Sequence, residues 1–160
     1  MKRKIAYILA SYFGFGFSPF ASGTVGSLMT LPLVFGCTYY WGIKGIVILA
    51  FIAFIIGILA SKEVLKYTKH DPSLIVIDEV VGQSLSFILL ADKLQGSLHA
   101  WAVYFVGFAF FRLFDIWKPQ PVRWADRKLL NAWGVMLDDV FAGLYAALCL
   151  FMLNQYYPLF

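Results

Sequence analysis

The chain is 160 residues long, 61% hydrophobic and only 14% charged, with a mean hydropathy of +0.77; soluble domains carry about a quarter charged residues, so we read residues 1–160 as one integral membrane domain. Its net charge of +4 comes without a dense Lys/Arg run or a basic face interleaved with stacking aromatics, which argues against nucleic acid as a partner. Cys37 and Cys149 stand singly inside apolar runs, and His70 and His99 are isolated, so all four are read as packing or surface residues and not as a disulfide or a metal set.

Taken from the N-terminus, Met1-Lys2-Arg3-Lys4 leads into an apolar run from Ile5 to Phe17. This looks like a signal peptide, but it lacks a small-residue cleavage site and flows into Gly14, Gly16 and a Gly/Ser/Thr loop. We expect it to be retained as an amphipathic, interfacial segment, with Tyr7, Tyr12, Phe13, Phe15 and Phe17 at the headgroup boundary. The loop Ser18-Pro19-Phe20-Ala21-Ser22-Gly23-Thr24-Val25-Gly26-Ser27 opens onto the first long apolar stretch. Amides and hydroxyls at a helix N-terminus suit an anion, which singles out Thr24 and Ser27.

Five apolar segments follow, at 28–43, 45–60, 80–91, 98–114 and 135–153. The first four pair into two hairpins, turning at Gly42-Ile43-Lys44-Gly45 and between Asp92 and Ser97. The expected fold class is all-α, a multi-pass helical membrane bundle of rather short spans. One side of it collects Lys2, Arg3, Lys4, Lys62, Lys66, Lys69, Arg112, Lys118, Arg123, Arg127 and Lys128, whereas the other holds Lys44 and Lys93. The positive-inside rule makes the first side cytoplasmic.

Carboxylates at the rim of such a bundle mark a site by default, because they are costly to keep there without a counter-charge. Asp78-Glu79 and Asp138-Asp139 are adjacent pairs, each entering an apolar run, and Asp115 ends another. Pro72 disfavours helix at Asp71, so the first pair is expected near a helix start, where the dipole favours negative charge. Asp78 and Gly82, like Asp139 and Gly143, are four residues apart, putting a glycine one turn below an acid on the same face. Such small residues allow close helix approach and would bring the two acidic segments together. Arg112, Asp115 and Lys118 share a broad helical face that Pro119 terminates. Crowded carboxylates call for a hard cation, and Mg²⁺ takes oxygen ligands while keeping waters and substrate phosphate in its shell. Asp78, Glu79, Asp115 and Asp139 are the expected ligands, with Asp138 a fifth ligand or the group that orients a water, and Arg112, Lys118 and Arg123 are expected to hold a phosphate.

Four stretches in order, Phe17-Ser18-Pro19 with Ser22 to Ser27, Val76 to Gly82, Phe111 to Pro119 and Gly134 to Gly143, resemble the phosphatidylglycerophosphatase A family. Phe20 and Ser22 depart slightly from the family's loop pattern. The resemblance implies a Mg²⁺-dependent phosphatase of an all-helical fold. It would convert phosphatidylglycerol phosphate to phosphatidylglycerol and inorganic phosphate in phospholipid biosynthesis, at the cytoplasmic face of a bacterial inner membrane. The main alternative is a cation- or proton-coupled transporter, but transport sites usually lie near the bilayer midplane and these acids cluster at segment ends.

Overall fold

The computed structural model describes residues 3–68 and 73–157, and every regular element among them is helical. Seven α-helices follow one another: α1 (Arg3–Ala10), α2 (Ser22–Val64), α3 (Ile77–Leu85), α4 (Ala91–Leu94), α5 (Trp101–Trp117), α6 (Val122–Lys128) and α7 (Ala132–Tyr156). A short 3-10 turn, Phe15–Phe17, lies between α1 and α2. The expected all-α class holds.

Helix α2 is two helices in one run. Gly42 breaks it with φ 54° and ψ −134°, a conformation that a side chain would strain. A Cβ at Gly45 would strike the Cys37 carbonyl, although eight residues of straight helix would separate those positions by about 12 Å. The chain therefore reverses at Gly42, where the first hairpin turn was expected. The far end of the bundle is tied there by the second turn. Asp92 Oδ1 accepts the Ile43 N–H at 2.8 Å, Gln95 Nε2 donates to the Tyr40 carbonyl at 3.3 Å, and the Gly96 N–H donates to the Tyr39 carbonyl at 3.1 Å.

The second hairpin is less regular than its apolar pattern suggests. Helix α3 ends at Leu85, and 86–90 continue as turns in which the Phe87, Ile88 and Leu90 amides reach back three residues instead of four. Ser84 and Ser86 hydroxyls donate to the carbonyls of Val80 and Gly82, competing for acceptors that a regular helix would use. Helix α7 begins earlier than expected, at Ala132. Asn131 caps it by accepting the amides of Trp133 and Gly134, so Asp138 and Asp139 stand nearly two turns inside the helix and not at its start. The Gly/Ser/Thr stretch also differs from the loop expected. Ala21 takes a left-handed conformation and Ser22 is already helical, so Ser22 to Ser27 form the opening turns of α2.

Helices α3 and α7 cross with only glycine between them. A Cβ at Gly143 would fall on the Gly82 carbonyl, and one at Gly82 would meet the Phe111 ring and the Asp139 carbonyl. Gly57 is covered by Met136 in the same way. Around these contacts one buried cluster joins α1, the second arm of α2, α3 and α7, and another joins the first arm of α2 to α5 and the 87–94 segment. Large apolar side chains including Phe51, Ile52, Phe105, Leu113, Leu148 and Met152 remain exposed on the outside. By length and composition α2 and α7 could each cross a membrane. The Ile5–Phe17 segment is α1 followed by turns, with Ala6 and Ala10 packed inward and Ile5, Ile8, Phe13 and Phe17 outward. Pro72 and His70 lie outside the described residues.

Candidate active site

Four elements build one end of the bundle. The start of α2 lies against the start of α3 so closely that a Cβ on Gly23 would displace Glu79, and one on Gly26 would touch Val76. The Ser22 hydroxyl donates to the Ser73 carbonyl at 2.6 Å, and the Val76 amide donates to the Ala10 carbonyl at 2.9 Å. These bonds hold the strand of chain entering α3. Helix α5 delivers Arg112 and Asp115 from the side, and α7 delivers Asp138 and Asp139 across the glycine crossing.

The result is a cavity of about 300 Å³ lined by Asp78, Glu79, Arg112, Asp115, Lys118, Asp138 and Asp139, with Ser22, Gly23, Ser73, Ile75 and Ile116 completing its wall. Oxygens of Glu79, Asp115 and Asp139 lie within 4.8 Å of one another, although the three residues come from α3, α5 and α7. Glu79 and Asp139 are 7% and 2% exposed, so solvent does little to screen them.

Two cations answer the acids. Arg112 Nη1 contacts Glu79 Oε1 at 2.8 Å, Glu79 Oε2 at 2.7 Å and Asp115 Oδ2 at 2.8 Å, while its buried Nε has no hydrogen-bond partner. Lys118, in left-handed backbone just after α5, places Nζ 2.7 Å from both Asp126 Oδ1 and Asp138 Oδ2. Burial disfavours the Lys118 charge, but Asp138 and Asp126 outweigh it and hold the amine above the usual lysine range. It is a fixed positive charge and not a proton donor near neutrality.

The acidic pairs share a local device. Asp78 Oδ1 accepts the Glu79 amide and Asp138 Oδ1 accepts the Asp139 amide, each at 3.0 Å. The first acid of each pair thereby steadies the backbone that carries the second. On Asp139, Oδ2 is buried with no hydrogen-bond partner. A carboxylate oxygen left so, facing two other acids, fits a site built for a hard cation.

A family model described as phosphatidylglycerophosphatase A matches residues 8–154. The chain belongs to the phosphatidylglycerophosphatase A family. Among its relatives, the Escherichia coli phosphatidylglycerophosphatase A is 34% identical, covering 96% of this chain and 86% of that protein. The Haemophilus influenzae phosphatidylglycerophosphatase A is 39% identical, over 96% and 90%. A Bacteroides thetaiotaomicron protein provisionally named phosphatidylinositol-3-phosphatase is 34% identical, over 91% and 92%. No solved structure matches the chain.

Set against the residues singled out from sequence, this family member brings all five acids, Arg112 and Lys118 to one cavity. Thr24, Ser27 and Arg123 stand outside its wall. Ser27 is fully buried, donating to Glu79 Oε2 at 2.7 Å and accepting from Arg112 Nη1 at 3.4 Å, so it supports the carboxylate. Thr24 is half-buried on the first turn of α2, and Arg123 is exposed on α6. Sequence reasoning missed Asp126, whose pairing with Lys118 spans two prolines and leaves no periodic trace. It also missed Gln83, 0% exposed with neither amide atom bonded, although its place one turn below Glu79 could have signalled it.

Proposed function

We propose that the chain hydrolyses the terminal phosphate monoester of phosphatidylglycerol phosphate, at the cytoplasmic end of a multi-pass bundle in a bacterial inner membrane. Family membership supports the reaction. The observation that carries the assignment of the site is the meeting of Glu79, Asp115 and Asp139 from three helices beside two buried cations. The topology follows from charge. Arg3, Lys4, Lys62, Lys66, Arg112, Lys118, Arg123, Arg127 and Lys128 belong to one side and Lys44 and Lys93 to the other, which the positive-inside rule orients with the cavity inward.

Mg²⁺ is the cation these oxygen donors suit, with Glu79, Asp115 and Asp139 as the central ligands and Asp78 on the same wall. When bound it supplies Lewis-acid polarisation of the phosphoryl group and a more acidic water. The chain's own residues do the rest. Lys118 and Arg112, both largely buried, give the phosphate two positive charges, and preorganised charges of this kind stabilise the transferring group. Asp138 is oriented by the Asp139 amide on one oxygen and Lys118 on the other, and from the cavity wall it would align an attacking water. Water's oxygen bonds to phosphorus, the bond from phosphorus to the glycerol oxygen breaks, and a proton ends on that glycerol oxygen. Ser27 keeps Glu79 turned toward the cavity.

Purified protein mixed with phosphatidylglycerol phosphate in detergent micelles should release inorganic phosphate when Mg²⁺ is present and lose that release in chelator. No release in either condition would defeat the activity. Equal release in both would defeat the metal.

A further inference from the structure

A second cavity lies farther along two of the same helices, between the first arm of α2 and α5. It measures about 360 Å³ and is lined by Leu28, Met29, Leu31, Pro32, Phe35, Trp101, Tyr104 and Phe105, with almost no polar surface. Leu28 and Met29 are 40% and 41% exposed, and Trp101 and Phe105 are 55% and 57%, so it is a groove open along its side and not a sealed void.

Helical phase ties this groove to the active site. On α2, Thr24, Leu28, Leu31 and Phe35 follow the spacing i, i+4, i+7, i+11 and share one stripe. On α5, Trp101, Phe105, Phe108, Arg112 and Asp115 form the matching stripe. The two helices run antiparallel: Arg112 touches Ser27 at one end, and Phe35 stacks on Trp101 at 5.2 Å at the other. Eight residues separate Ser27 from Phe35, so the shared seam is about 12 Å long. The α5 stripe is polar where Arg112 and Asp115 line the acid-lined cavity and aromatic beyond it, and the α2 stripe, headed by Thr24 just outside the cavity wall, is apolar from Leu28 onward. The seam thus matches a ligand with a phosphate head and a hydrocarbon tail.

We propose that the α2–α5 groove seats one acyl chain of the phosphate-monoester lipid whose headgroup enters the cavity. The inference rests on the lipid-phosphatase reading and adds a tail subsite to it. Substrate then arrives sideways from the surrounding lipid, between α2 and α5. Recognition of the tail by this groove is independent of what lies beyond the phosphate. The Tyr104 hydroxyl is hydrogen-bonded to Thr38 in the groove floor, which leaves the floor without a free polar group from that side chain.

The test uses phosphatidylglycerol phosphate carrying a diazirine midway along one acyl chain, bound to the purified protein in micelles and illuminated within the first turnover. Labelling should map by mass spectrometry to groove residues such as Leu31, Phe35 or Phe105, at least five-fold above phosphatidylcholine bearing the same photoreactive chain. Equal labelling by phosphatidylcholine, or labelling elsewhere, would overturn the subsite. Phosphate release from the same preparation separates the two readings. Release without groove labelling removes the groove alone, and groove labelling without release keeps the groove and removes the chemistry. As an independent arm, Met29→Trp should lower the ratio of kcat/KM for sixteen-carbon over four-carbon substrate about ten-fold, and an unchanged ratio would count against the proposal.

Discussion

Both ends of the bundle place a carboxylate over a glycine of α2, yet the two arrangements serve different purposes. At the far end, Asp92 sits above Gly42 and accepts one backbone amide, which satisfies it. At the cavity end, Glu79 sits above Gly23 amid four other acids, with Arg112 bonded to it and Asp115 at once. A lone acid that accepts one amide across two turns is a cap; acids from three helices with shared cations are a candidate site. The difference lies in the company and not in the residue.

The comparison breaks most sharply at the acids themselves. Asp115→Asn should cut phosphate release about a hundred-fold or more, the usual scale for losing one charge-stabilising group, while circular dichroism and gel filtration stay those of the wild type. Activity retained within a few-fold would remove Asp115 from the centre. Gly143→Val attacks the scaffold, since the new Cβ meets the Gly82 backbone and neither can yield. Overpacking of this kind costs on the order of 3 kcal/mol, and thermal unfolding in detergent should register it together with lost activity.

Lys118→Met should lower kcat/KM about ten-fold, because it removes one of the cavity's two cations and the ion pair that orients Asp138 Oδ2. The pH dependence sharpens the assignment. A lysine held above its ordinary range stays charged through about pH 10, so its contribution to folding is complete below that value and fades only as pH rises through the higher, folded one. The stability gap between wild type and Lys118→Met should therefore be flat from pH 6 to 9. A gap that closes between pH 7 and 9 would show a titrating amine. At the small end, Asp92→Ala should cost about 1 kcal/mol, as caps do, and leave phosphate release untouched.

The site was more legible than the helices that carry it. Charges in an apolar chain are conspicuous, and the i, i+4 pairing of Asp78 with Gly82 and Asp139 with Gly143 carried the close crossing in plain view. Helix ends were harder to read. Asn131 moved the start of α7 back because a single capping side chain outweighs the apolar pattern, and Ser84 and Ser86 loosened the 86–90 segment by side-chain bonds that hydropathy does not register. Ser22 to Ser27 look like loop by composition. They are helical because Ala21 takes the chain reversal and the glycines there serve close packing against α3.

At the meeting of Gly82 and Gly143 two main chains touch with nothing movable in between. Rotamers can shift to suit a guest, but peptide planes at contact cannot. The gap spanned by Glu79 and Asp139 is thus set by the thickness of the polypeptide itself, and any ion wider than that gap must be met by side-chain torsions alone. Glu79 has one more of those than Asp139, but Ser27 and Arg112 hold both of its oxygens, so side chains as well as backbone fix the spacing of the two acids.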